Sequence, residues 1–225
     1  MSDGRDLVLV HGAWHGAWAW DPVAPLLAAA GHRPTAPELP SCGPGGAPAT
    51  LEDHAAVVAD AINAARDGVV VIGHSYAGLV IQQAFARGVE RRIQHIVHVD
   101  AWLGAEGDCL LDLAPPAFAQ VWREQQSGGW LPAPTPQQLG VTDPDQIDWL
   151  APRLIPQPWP TFTDPLCGMP DRHTDASAIV MEPGNGVPFR EFAVGYDLPV
   201  TSMASGHDVL LTHPNELAQL LLESF

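Results

Sequence analysis

Six residues, Gly73-His74-Ser75-Tyr76-Ala77-Gly78, hold a serine between glycines at the spacing G-x-S-x-G. In a chain with 21 glycines this could be coincidence, but the flanks give it meaning. Val69 to Ile72 is a β-branched run of the strand type, and the residues after Tyr76 follow a helical pattern. A strand turning sharply into a helix holds its apex residue in a strained conformation. Small residues two before and two after the apex let the two elements pass closely. The serine hydroxyl is thereby lifted clear, with the backbone N–H of Tyr76 at the start of the helix dipole to receive developing negative charge. A serine hydroxyl is a poor nucleophile at its own pKa and needs a base within hydrogen-bond reach. His207, in the loop Ser205-Gly206-His207-Asp208 between the last expected strand and the last helix, is the base by position. The second oxyanion donor is expected to be the backbone N–H of Ala13, in the loop after the first strand, where Gly12 permits close approach to a substrate.

An acid is needed to orient the histidine, and chain order leaves two candidates. Asp100 lies at the carboxyl end of the strand that follows the serine's helix, and Glu182 lies just after the next strand. Asp208 adjoins His207 in sequence and is badly placed to reach its far nitrogen, and Asp175 precedes a strand, at the wrong edge. Ten histidines also invite a metal reading, which we reject. His95 and His98 are three apart on a strand and face opposite sides. His11 and His15 sit in a glycine-bearing loop without a partnering carboxylate, and His54 and His213 read as exposed helix residues. No metal and no cofactor is expected.

The elements that must position these residues alternate strand and helix, the pattern of a parallel sheet covered on both faces. Leu7 to Val10 reads as a buried strand. Asp21-Pro22 caps a helix to about Ala30, and His32 to Ala36 can form a second strand. Leu39 to Ala49 is loop, and Thr50-Leu-Glu-Asp53 opens a helix with a capping box. The third strand leads into the serine, Tyr76 to Arg87 continues as helix, and Arg92 to Val99 is a fourth strand. Ala176 to Met181, a helix around Val187 to Val194, a strand at Pro199 to Met203 and a terminal helix from Pro214 complete the pattern.

Composition changes after Asp100-Ala-Trp102. Residues 103–170 hold 12 of the 23 prolines and four of the eight tryptophans, Trp122, Trp130, Trp149 and Trp159. Proline confines such a segment to short helices and turns, so it is expected to add no strand to the sheet. We read it as a cap inserted in a single domain whose core is 1–102 and 171–225. Its aromatics would line an apolar pocket. Gly12, Trp14, His74, Trp102, Trp130 and Trp159 are the residues expected to touch substrate.

The chain has 225 residues, enough for one domain with a full core. Its formal charge of −16, from 10 Lys+Arg against 26 Asp+Glu, repels phosphate backbones and anionic membranes, which excludes nucleic acid and membrane partners. Three cysteines, Cys42, Cys109 and Cys167, suggest neither a disulfide framework nor a zinc site. The apolar run near the N-terminus is too short for a signal or a span, so a cytoplasmic protein is expected. Oligomeric state is left open, a homodimer included.

With these motifs assembled, the chain resembles an α/β hydrolase of the plant methylesterase and hydroxynitrile lyase family, in its bacterial esterase-like branch. The markers are Val10-His-Gly-Ala-Trp-His-Gly16, Gly73-His-Ser-Tyr-Ala-Gly78 and Gly206-His-Asp-Val-Leu-Leu-Thr-His-Pro-Asn-Glu-Leu217, with Val97-His-Val-Asp-Ala101, Gly140-Val-Thr-Asp-Pro144 and Pro156-Gln-Pro158 similar to bacterial relatives. The resemblance implies the α/β-hydrolase fold, a mostly parallel sheet between helices with an inserted cap. Plant members place the acid in the region filled here by Glu182-Pro-Gly-Asn-Gly186, where no aspartate stands, and this moves the reading to Asp100. Cyanohydrin-cleaving members are similar but carry threonine at the position of Gly12 and lysine at that of Asp208. The resemblance therefore implies hydrolysis of a small, largely apolar or aromatic ester through an acyl-enzyme. The alternative is a lyase or cyclase using the same base and oxyanion hole.

Overall fold

The computed structural model describes residues 4–167 and 174–225. In chain order the elements are β1 (Asp6–Val10), α1 (Ala24–Ala29), β2 (Arg33–Thr35), α2 (Leu51–Ala64), β3 (Val69–His74), α3 (Ala77–Ala86), β4 (Ile93–Val99), α4 (Leu110–Leu113) and α5 (Pro116–Gln125). Then come β5 (Trp130–Leu131), α6 (Pro144–Leu150), β6 (Gln157–Pro158), α7 (Pro160–Thr163), β7 (Ala176–Glu182), α8 (Phe189–Gly195), β8 (Val200–Ala204), α9 (Val209–Thr212) and α10 (Pro214–Glu223).

Six strands form one sheet in the order β2-β1-β3-β4-β7-β8, every neighbouring pair parallel. All six residues of β3, at its centre, are buried, as continuous apolar strands must be when helices cover both faces. Side chains alternate between two cores. Val8, Val10, Val69 and Val71 pack with α2 and α3 on one face, and Leu7, Leu9, Val70 and Ile72 pack with α1 and α10 on the other. The Thr50 hydroxyl accepts the Asp53 N–H at 3.0 Å while the Asp53 carboxylate accepts the Thr50 N–H at 2.9 Å, the capping box expected at the start of α2.

Chain direction reverses its progress across the sheet between β1 and β3, because β2 lies on one side of β1 and β3 on the other. In open parallel sheets the carboxyl ends of strands at such a switch point flank a crevice. The loops after β1 and β3, which carry Ala13 and Ser75, meet there.

Three local expectations are corrected. The first helix starts at Ala24, with Pro25 in its first turn, and a 3₁₀ turn at Ala17–Trp20 precedes it; Pro25 marks the start better than Pro22 because its missing N–H costs nothing there. The proline-rich segment adds no strand to the main sheet but builds a ladder of its own, β5 antiparallel to β6. A one-turn helix, α9, also follows the His207 loop. The expected boundary of that segment at 170/171 lies outside the described residues.

Candidate functional site

Strand ends set the positions of the principal residues. Ser75 stands one residue beyond β3 at φ 57°, and Asp100 one residue beyond β4 at φ 44°. Each is fixed through its backbone to the neighbouring strand. Ser75 N–H donates to the Val99 carbonyl at 3.0 Å, and Asp100 N–H to the Ile179 carbonyl at 2.8 Å. The close passage of α3 over the next strand's end depends on Gly78, where a Cβ would lie 2.1 Å from the Trp102 carbonyl oxygen.

His207 arrives from the loop between β8 and α9 and completes a chain of hydrogen bonds. The Ser75 hydroxyl and His207 Nε2 are 3.0 Å apart, and His207 Nδ1 is 2.7 Å from Asp100 Oδ2. The other carboxylate oxygen, Oδ1, accepts the Met181 N–H at 3.0 Å. All three residues are buried. Two rings hold the imidazole. Phe189 stacks on it at 5.1 Å with the planes 2° from parallel, and His74 lies 4.8 Å away with Nε2 donating to the His207 carbonyl at 2.9 Å. Burial, with the adjacent His207, pushes His74 down to about 3, so it is neutral. Such a chain can draw the hydroxyl proton onto Nε2 while the carboxylate stabilises the resulting imidazolium.

Ser75, Tyr76, Ala13 and His207 face a cavity of about 500 Å³. Its walls are mainly apolar and aromatic, with rings from Trp14, Trp102, Phe118, Trp122, Phe162 and Phe189, and Gln125, Thr135, Gln138 and Asn185 add neutral polar groups. Trp122 is the hub, 5.2 Å from Phe162, 5.9 Å from Phe118, 6.1 Å from Trp14 and 6.4 Å from Trp102. Among the described residues no aspartate, glutamate, lysine or arginine lines it.

Some expected residues stand elsewhere. Trp130 and Trp159 do not line the cavity: Trp130 is tied into the β5–β6 ladder, and Trp159 packs against the outer side of the cluster at Phe162, 6.4 Å away. Gly12 and His74 are also absent from the walls. A Cβ at Gly12 would meet Ser75 Cβ at 3.0 Å and His74 Nδ1 at 3.2 Å, so its role is to let β1's loop pack against the serine turn. Glu182 is half exposed and bonds Arg190 at 3.0 Å, away from His207. His54 is buried, not exposed, bonding the Tyr76 hydroxyl at 3.1 Å and the Pro40 carbonyl at 2.8 Å, while His213 is half-buried at the cap of α10. His15 does have a carboxylate partner, Asp208, at 3.3 Å. Among the described residues no cluster of three or more His, Cys, Asp or Glu side chains could hold a metal ion.

Phe189 and Trp122 were the least legible members of the site. Trp122 lies in the aromatic-rich segment, but nothing in the sequence separates it from Trp130 or Trp159. Phe189 belongs to an expected helix whose facing was unknown.

A serine raised at a strand-to-helix turn beside the switch point of a parallel sheet, with its histidine on the loop after the last strand, defines the α/β hydrolases as a class. The chain belongs to this family: the alpha/beta hydrolase family model matches residues 7–220. Over 96% of its length it is 34% identical to a carbendazim hydrolyzing esterase from a Nocardioides species, covering 98% of that protein. A stretch of 109 residues, 46% of this chain and 42% of the relative, is 35% identical to an alpha-hydroxynitrile lyase of Arabidopsis thaliana. Among solved structures, an extracellular alpha/beta-hydrolase from a Paenibacillus species superposes with a TM-score of 0.82 at 22% identity, over 98% of both chains.

Proposed function

We propose that the protein is a carboxylesterase in which Ser75 attacks the ester carbonyl, His207 takes the hydroxyl proton and returns it to the leaving alcohol, and Asp100 orients the imidazolium. Esterase activity rests on the family and on a full-length relative that is an esterase. The single observation that carries the residue roles is the unbroken relay from Ser75 through His207 to Asp100, at 3.0 and 2.7 Å. Ala13 and Tyr76 N–H groups hold the oxyanion, Tyr76 from the N-cap of α3. Water then attacks the acyl-enzyme with His207 as base.

The substrate is a small, neutral ester with an apolar or aromatic group. A charged substituent would leave water for an aromatic cavity with no countercharge, at a cost of several kcal/mol. The described part of the inserted segment, 103–167, acts as the cap, since Leu110, Phe118, Trp122 and Phe162 supply much of the wall facing Ser75. Free Cys42, Cys109 and Cys167 fit a reducing, cytoplasmic setting. Among the described residues no helix is long and apolar enough to cross a membrane.

The test is initial-rate hydrolysis of a short-chain aryl ester, with mass spectrometry of the quenched enzyme. Parent protein should turn over and show an acyl adduct on Ser75, and Ser75→Ala should show neither. Full activity in Ser75→Ala would sink the assignment.

A further inference from the structure

The loop after β1 is held by an arrangement that the reaction itself does not use. Ala13 N–H belongs to the peptide joining Gly12 and Ala13, and the carbonyl of that peptide accepts from His11 Nδ1 at 2.9 Å. The next peptide is gripped at both ends. Its carbonyl, on Ala13, lies 2.8 Å from His15 Nδ1, and its N–H, on Trp14, donates to Gln157 Oε1 at 2.9 Å. His15 Nε2 lies 3.3 Å from Asp208 Oδ2, and both residues are buried. Both nitrogens of His15 therefore face acceptors, a carbonyl and a carboxylate, which only the doubly protonated ring can satisfy. His11 is different: its Nε2 accepts the Leu39 N–H at 3.2 Å, so it is a neutral ring with its proton on Nδ1.

We infer that His15 and Asp208 are positioning residues for the hydrolytic reaction: a buried ion pair that ties the oxyanion loop to the His207 loop and fixes the peptide planes around the Ala13 N–H. This rests on the oxyanion role proposed for Ala13. Asp208 follows His207 directly, and its own N–H donates to the Leu139 carbonyl at 3.0 Å. The pair thus joins three pieces of the site: the β1 loop, the base and the wall around Leu139. Preorganised donors of this kind work because they need no reorientation as charge develops.

The arrangement makes the clamp sensitive to alkali. Around His15 stand Asp208 from the His207 loop, His74 from the end of β3 and His11 from its own loop, with the Trp18 ring 5.2 Å away. Burial pushes His11 and His74 down to about 3, and the Glu38 carboxylate stands 4.0 Å from His11 Nε2 and accepts the Ala17 N–H, so Asp208 supplies the charge that contacts His15 itself. Burial opposes a proton on His15, but the charge and hydrogen bond of Asp208 prevail and raise its pKa. Above that pKa one nitrogen must give up its proton. The buried carboxylate keeps its donor, and the Ala13 carbonyl then faces a lone pair.

The experiment compares kcat, KM and the pH profile of aryl ester hydrolysis in parent, His15→Ala, His15→Asn and Asp208→Asn. Removing one oxyanion donor outright costs about 10²- to 10³-fold in kcat. Loosening it in His15→Ala should therefore lower kcat by about tenfold or more, with KM within about threefold. An asparagine amide at position 15 can donate to the Ala13 carbonyl without titrating, so His15→Asn should recover most of kcat and lose the alkaline fall. In Asp208→Asn the new amide can donate to a neutral His15, which leaves the Ala13 bond in place and again abolishes the alkaline fall. Unchanged kcat in a folded His15→Ala, or an unchanged alkaline limb in Asp208→Asn, would overturn the inference. If His15→Ala does not fold, the other two variants decide. Ser75→Ala separates the two ideas: its retention of activity refutes the esterase site, whereas loss there with indifferent His15 and Asp208 variants refutes only the clamp.

Discussion

Replacing Asp100 with asparagine should cost about 10⁴-fold in kcat, because the structure dictates which way the new amide points. Asp100 Oδ1 accepts the Met181 N–H and Oδ2 faces His207 Nδ1. The asparagine oxygen must take the Met181 side, since an amide NH₂ there would oppose another donor in a buried site, costing about 1–3 kcal/mol. The NH₂ then faces His207 and forces Nδ1 to accept. The ring proton moves to Nε2, which points at the Ser75 hydroxyl and can no longer take its proton. A wrong tautomer in an otherwise intact serine-histidine-aspartate site lowers turnover by about 10⁴-fold, or roughly 5–6 kcal/mol of barrier. The assay is initial-rate hydrolysis of an aryl acetate, with Glu182→Gln beside it and thermal unfolding as a control. Glu182 pairs with Arg190 at the surface, and exposed pairs contribute about 0–1 kcal/mol, so that variant should stay within about twofold of parent. An Asp100→Asn enzyme keeping a tenth of parental kcat, or a Glu182→Gln enzyme losing most of it, would refute the reasoning.

Other consequences are as direct. Trp122→Ala empties the centre of the aromatic cluster and should raise KM for aryl esters by about tenfold, the equivalent of about 1.4 kcal/mol of lost contact, while bulkier acyl groups become substrates; equal KM in parent and variant for both ester series would contradict the cavity assignment. Gly78→Ala brings a methyl against the Trp102 carbonyl, a backbone atom that cannot step aside, and should destabilise by about 3 kcal/mol and lower Tm by roughly 10 °C in calorimetry. Acid should unfold the protein early. Burial pushes His11 and His74 to about 3 and His54 and His98 to about 4, so these rings are neutral in the native state and gain protons only on unfolding once pH falls below about 6.5. Each then favours the unfolded chain by about 2 kcal/mol at pH 5. Four together approach the whole stability of a typical domain, about 5–15 kcal/mol, and His15, whose pKa is raised, offsets only part. A Tm at pH 5 within about 3 °C of that at pH 7.5 would show that these histidines are not buried neutral.

What the sequence disclosed follows from which interactions are local. A G-x-S-x-G turn is a local steric solution, so Gly73 and Gly78 announce the strand before it and the helix after it. The capping box at Thr50 is equally local. Asp100 was legible as a strand end and, with Glu182, as one of two candidate partners for His207; chain order alone could not choose between them, because that meeting spans 107 residues and depends on the β4–β7 register, and it was the family resemblance that pointed to Asp100. The aromatic-rich segment shows the opposite limit. Its prolines forbid long elements, yet which tryptophans face inward is decided by how several short helices pack, and so Trp122 reaches the cavity while Trp130 and Trp159 do not. Asp208 was set aside because it neighbours the base in sequence, and adjacent residues near the end of a turn point different ways. That same divergence lets it reach back to His15.

Strain ties these observations together. Four non-glycine residues among those described hold positive φ, and three of them, Trp14, Ser75 and Asp100, sit beyond the carboxyl ends of β1, β3 and β4, which are adjacent in the sheet. Left-handed backbone at such residues costs about 1–3 kcal/mol each and persists only where the surroundings over-determine it. Here the surroundings can be named. Ser75 is pinned by Val99 and Trp102, Asp100 by Ile179 and Met181, and Trp14 by Gln157 with the His15 clamp beside it. A strand that simply ran on would bury its next side chain in one of the two cores. The strained turn directs it instead to the crevice at the switch point, where Ser75, Asp100 and the start of the aromatic wall converge.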